Sequence, residues 1–140
     1  MLDSGTLERY VTDHALSGVT SNPTIFARAL RADDRYRDRL ARLVDAGSAT
    51  CTRCVPPLAL ADVHEAAQRL RDSYDRTHGR DGYVPFECTP DVADDASATV
   101  RQAEQVSDRI HAWNLMIKVP ATDAGIDAIE QLTAAWSTRT

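Results

Sequence analysis

The sequence predicts an α/β protein built on a parallel sheet, and three observations predict it. Short apolar runs bounded by turn residues alternate with longer segments whose apolar residues recur at helical spacing, which is the pattern of βαβ units. The 140 residues amount to one domain. Polar residues suited to carbonyl chemistry stand at the ends of successive apolar runs: Asn22, Glu87 and Lys118. A parallel sheet needs helices on both faces or closure into a barrel. In either arrangement ligands gather at the carboxyl ends of the strands, where an amide, a carboxylate and an amine would share one pocket.

Each element has its own signal. Leu7, Tyr10, Val11, His14 and Ala15 share a helical face, with Ser4 or Thr6 as the candidate cap. Leu16 to Ser21 is a short first strand, broken by Pro23. A second helix carries Phe26, Leu30, Tyr36, Leu40, Leu43 and Val44, with Gly47 as its stop. Val55 to Leu60 reads at best as an edge strand, because Pro56 and Pro57 remove two backbone donors. Asp62-Val63-His64-Glu65 has the spacing of a capping box, followed by helical Val63, Ala66, Leu70 and Tyr74. A turn cluster, residues 77–82, precedes a strand from Tyr83 to Cys88. Val92, Ala96, Val100, Ala103, Val106 and Ile110 mark a long helix, and Leu115 to Val119 the best strand. Thr122 caps a last helix bearing Ile126, Ile129 and Leu132.

The totals narrow the function classes. A net charge of −5 with both signs interspersed favours neither nucleic acid nor an anionic membrane as partner. No apolar run reaches the length of a membrane span, and the N-terminus lacks a basic-then-apolar signal, so a cytoplasmic location is expected. Three cysteines without a secretory signal argue against a disulfide framework. Cys51 and Cys54 have C-x-x-C spacing, but the four scattered histidines supply no matching pair of ligands, so no metal is expected.

Lys118 is the only lysine among sixteen basic residues. Arginine stays protonated at any working pH, whereas a desolvated lysine can lose its proton and attack a carbonyl. The plain structural alternative is a strand-end lysine whose stem packs inward while its ammonium reaches water.

Three segments carry a resemblance. Gly18-Val19-Thr20-Ser21-Asn22-Pro23-Thr24-Ile25-Phe26 resembles the first transaldolase signature, and Leu115 to Ile126, with Lys118 inside it, resembles the second. Val84-Pro85-Phe86-Glu87-Cys88-Thr89-Pro90 is similar to the family's glutamate-bearing strand. The resemblance runs from about Ser4 to Ala135. It implies a (β/α)8 TIM-type barrel enzyme of the class I aldolase kind, moving a dihydroxyacetone unit between sugar phosphates in the pentose phosphate pathway. No cofactor and no metal are implied. Lys118 would form the Schiff base, Glu87 would act with water as general acid–base, and Asn22 and Thr20 would bind the three-carbon unit.

The same resemblance implies eight strands, of which this sequence supplies three or four. Residues 1–140 are therefore expected to form a single incomplete barrel segment, open at its edges, that self-associates or pairs with a complementing fragment. Asp3 has only Met1 and Leu2 before it and is read as a helix-entry residue. Pro85 stands where the family has serine. Three readings compete. A flavodoxin-like receiver domain would need a lysine followed directly by proline, and Val119 intervenes here. A non-catalytic remnant that assembles with another chain is the principal alternative. A different Schiff-base aldolase of the same barrel class fits the first signature less well.

Overall fold

A computed structural model describes residues 4–32, 34, 36, 38 and 57–137. The expectations for Asp3, Leu40, Leu43, Val44, Gly47, Cys51, Cys54, Val55 and Pro56 lie outside these residues.

The described elements are α1 (Thr6–His14), α2 (Pro23–Ala32), α3 (Pro57–Arg69), α4 (Arg71–Arg76), β1 (Val84–Glu87), a 3₁₀ turn (Pro90–Val92), α5 (Ala96–Ile110), β2 (Leu115–Lys118) and α6 (Asp123–Ser137). β1 and β2 pair in parallel, Val84 opposite Leu115 and Glu87 opposite Lys118, with α5 as the crossover between them. This is the βαβ unit that the alternation predicts. An α/β protein with a parallel sheet is thus observed.

The pleat sorts the side chains. Val84, Phe86 and Cys88 are buried, while Pro85 and Glu87 are only half-buried. Across the pair, Leu115 and Ile117 pack against the core, whereas Met116 remains 44% exposed. One face of the sheet thus joins a core built from Leu7, Leu60, Val63, Ala67, Leu70, Val106 and Ile110. The other face presents Pro85, Glu87, Met116 and Lys118, because residues two apart, and residues directly paired, share a face.

The first expected strand is reduced to a single bridge between Gly18 and Tyr83. The physical reason is Pro85. Even-numbered residues of β1 donate toward β2, as Val84 does to the Asn114 carbonyl (2.9 Å). Odd-numbered residues face the segment 17–21. There Val19 donates to the Tyr83 carbonyl (3.3 Å) and Ser21 to the Pro85 carbonyl (3.1 Å), the alternation of a parallel ladder. The rung between them would need an N–H on residue 85, and proline has none.

Other expectations are corrected. Leu58, Ala59 and Leu60 belong to α3, not to an edge strand. Pro57 stands at the first helical position, where its missing N–H costs nothing and its fixed φ suits the helix. Asp62 and Glu65 consequently lie mid-helix and form no capping box. Asp62 accepts a hydrogen bond from the Tyr36 hydroxyl, and Glu65 pairs with Arg69, which also reaches Glu8 of α1. Neither Ser4 nor Thr6 caps α1. Gly5 is its N-cap at φ 67°, and the two hydroxyls bond each other. In α6 the buried positions are Gly125, Ala128 and Leu132, while Ile126 and Ile129 are exposed.

Candidate active site

Glu87 and Lys118 end neighbouring parallel strands in direct register, so they share a face and meet. The Lys118 Nζ donates to Glu87 Oε2 at 2.7 Å, with the side chains 43% and 29% exposed. The pair is therefore accessible from the open face of the sheet. A carboxylate at that distance can take or return the amine's proton directly.

Three side chains fix the loops that follow the two strands. Buried Gln102 of α5 accepts from the Thr89 N–H and donates to the Thr89 hydroxyl, both at 2.8 Å. Thr99 of the same helix donates to the Val92 carbonyl (2.8 Å). Thr122 donates to the Ala93 carbonyl and accepts from the Gly125 N–H at 3.0 Å, so it caps α6 as the sequence predicts and also joins the two site loops. A Cβ on Gly125 would sit 1.9 Å from the Pro120 carbonyl oxygen, so this helix start presses on the loop leaving Lys118.

Asn22 follows the segment beside β1. Its Oδ1 accepts from the Thr24 and Ile25 N–H groups at 3.0 and 3.2 Å, which makes it the N-cap of α2. Thr20 is exposed and its hydroxyl donates to the Ser21 carbonyl (3.3 Å). Glu87 and Lys118 are thus brought into contact, whereas the described bonds of Asn22 and Thr20 are local. Sequence reasoning missed Gln102 and Ser21. Gln102 is a polar residue on the apolar face of a helix, and that placement is its only signal.

Behind the pair lies Cys88, 1% exposed on the core side of β1. Burial first, and the Glu87 charge second, push its thiol up from the ordinary 9.0 to about 11. Its N–H donates to the Lys118 carbonyl (2.9 Å), closing the strand pair beneath the site. Among the described residues no cluster of three metal-ligating side chains occurs, and no helix is long and apolar enough to cross a membrane.

The fold and the site together define an α/β protein of parallel strands with ionisable groups at their carboxyl ends, the usual location of chemistry in such sheets. The chain matches the family model for transaldolase/fructose-6-phosphate aldolase over residues 1–135 and belongs to that family. It is similar to Transaldolase 1 of Streptomyces coelicolor, with 40% identity over 134 residues, which are 96% of this chain and 35% of that protein. Thiobacillus denitrificans transaldolase is 39% identical over 133 residues (95% of this chain, 37% of that protein). The transaldolase of Neisseria gonorrhoeae is 39% identical over 134 residues (96% and 38%). The chain thus spans little more than a third of the length of these curated relatives.

Proposed function

We propose that residues 1–140 are one segment of a (β/α)8 barrel and supply the lysine and its acid–base partner for transaldolase-type chemistry. The observation that carries this reading is the 2.7 Å contact between Lys118 and Glu87 at paired strand ends, in a chain of this family. In this reading Glu87 takes a proton from the Lys118 ammonium, and the free amine adds to the carbonyl carbon of a ketose phosphate. Loss of the carbonyl oxygen as water leaves an iminium. The iminium accepts the electron pair released when the bond beyond its adjacent carbon breaks while the hydroxyl on the departing carbon gives up its proton, so an aldose leaves and a three-carbon unit stays on the lysine as an enamine. Glu87, with a water, moves the protons of these steps. The retained unit then adds to an acceptor aldose phosphate, and hydrolysis frees Lys118. Asn22 and Thr20 would hold the three-carbon unit. This is the dihydroxyacetone transfer of the pentose phosphate pathway.

Borohydride reduction in the presence of fructose 6-phosphate or dihydroxyacetone phosphate tests it. One covalent adduct on Lys118 is expected by peptide mass mapping. Lys118→Arg should abolish it, because the guanidinium keeps the charge but cannot attack. Glu87→Gln should slow trapping about 10²–10⁴-fold, the usual contribution of a positioned acid–base group. Labelling confined to the N-terminal amine of the folded chain would overturn the reading.

A second reading, a non-catalytic unit that assembles with another chain, is favoured by the open sheet face, where Met116 is 44% exposed. That reading expects no adduct and a stable complex with a chain supplying further strands.

A further inference from the structure

Ser21 is bound to Pro85, which lacks a rung of the sheet, and to Glu87, which would carry the next one. Its hydroxyl donates to the Pro85 carbonyl (2.9 Å) and accepts from the Glu87 N–H (3.3 Å). In an uninterrupted ladder the Glu87 N–H would go to the backbone carbonyl of residue 21. Here it goes to the side chain. Pro85 has already removed the preceding rung, so across the 17–21 side Glu87 is held by this one hydroxyl. On the β2 side the strand is anchored on both flanks of Glu87, through the register of Phe86 with Ile117 and through the Cys88 N–H on the Lys118 carbonyl. The Ser21 N–H on the Pro85 carbonyl is the last backbone tie on the 17–21 side, so without the hydroxyl the strand end at Glu87 is held from β2 alone and can pivot, swinging the Glu87 carboxylate relative to the Lys118 amine.

We infer that Ser21 is a positioning residue: its hydroxyl takes the Glu87 N–H, the next rung after the one that Pro85 deletes, and thereby fixes Glu87 against Lys118. The inference rests on the reading of that pair as the reactive site, but its mechanical part does not. It also gives the Pro85 departure a partner. With proline at position 85, the hydroxyl at position 21 is the side-chain tie that remains to Glu87 from that segment. Losing one hydrogen bond of this kind is worth about 0.5–1.5 kcal/mol, at most roughly tenfold in an equilibrium.

The test is a mutant cycle on the full chain: the parent, Ser21→Ala, Pro85→Ala, and the two combined, with Ser21→Thr as the conservative rescue. Two quantities are read in each: amide hydrogen exchange at Glu87, with Val106 of α5 as the internal reference, and the rate of borohydride trapping at Lys118. Ser21→Ala should speed exchange at Glu87 about three- to tenfold, with Val106 unchanged within about twofold, and slow trapping by a similar factor. Ser21→Thr should restore both. In the Pro85→Ala background residue 85 regains an N–H for the Val19 carbonyl, so removing the Ser21 hydroxyl should cost less than about twofold. Equal effects of Ser21→Ala in both backgrounds, or no change at Glu87, would overturn the inference. So would unfolding of Ser21→Ala in both backgrounds, because the hydroxyl would then serve general stability. A parent chain that traps no substrate, while Glu87 exchange still follows the cycle, removes the proposed chemistry and leaves the positioning role standing.

Discussion

At the residue scale the Glu87–Lys118 contact was legible because strand register decides it, and other contacts were illegible because side-chain partners decide them. The sole lysine stands at the end of an apolar run and bears an amine whose reactivity arginine cannot replace, which is why the proposed chemistry falls on it. A glutamate at the end of the preceding strand marks its partner because parallel register brings such ends together. Asn22 shows the limit. Its amide is spent in part on capping α2, a role any Asn before a helix can take. Cys88 was legible in the sequence only as the end of a strand, yet its surroundings make a definite forecast. Its thiol lies 1% exposed and is pushed up to about 11. In the unfolded chain it would ionise near the ordinary 9.0. The stability contributed by keeping it neutral is complete below that value. It falls as pH rises through about 9 and is gone above about 11, because there the unfolded state sheds the proton more readily than the folded one. Unfolding midpoints in denaturant between pH 8 and 11 should therefore fall, and Cys88→Ala should flatten that slope. In the native chain at pH 8, alkylation at Cys88 should proceed only at the rate of unfolding. Rapid modification there, read by mass spectrometry, would contradict the burial.

At the element scale, helices with long apolar periodicity were legible, and so was the β1–α5–β2 unit that bears the pair. The two strand readings that failed share one cause, proline, whose effect depends on where its absent N–H falls. Pro57 was read as a strand breaker and begins a helix instead. Pro85 was read as a substitution inside a strand, and its larger effect falls on the neighbouring segment, where a ladder shrinks to one bridge. Glycine behaves oppositely in α6. Replacing a helical glycine by alanine ordinarily gains about 1 kcal/mol. At Gly125 a Cβ would fall 1.9 Å from the Pro120 oxygen, so helix and loop must move apart. Gly125→Ala should therefore destabilise the chain by about 1–3 kcal/mol. It should also slow trapping at Lys118, since Pro120 is two residues along the same loop. A denaturant midpoint equal to or above the parent's would show that the helix start yields without disturbing the site.

At the scale of the whole molecule, the sequence resemblance reached the family, while the pattern of exposed apolar surface had to come from the structure. Ile126 and Ile129, with Leu132, marked a last helix in the sequence. They are 61% and 48% exposed, and smaller residues, Gly125 and Ala128, are buried instead, together with Leu132. Periodicity identifies an apolar stripe but not which of two adjacent stripes a close helix pair will use. Small residues let helix backbones approach, and that can win over side-chain volume. Two isoleucines one turn apart, together with Trp113 at 76% exposure and Met116 on the open sheet face, are costly to leave in water. The isolated chain is expected to associate, with apparent mass rising over the micromolar range in light scattering. Ile126→Glu combined with Ile129→Lys should shift that rise to at least about tenfold higher concentration while leaving helix content unchanged. Placing two charges on a face already solvated costs little in the monomer, whereas burying them unpaired in an interface costs several kcal/mol. A separate chain supplying further strands of the family barrel should compete with self-association and raise solubility. A parent chain that stays monomeric to about 100 μM would mean that these side chains are ordinary scattered surface residues, and the case for a covering partner would fall with it.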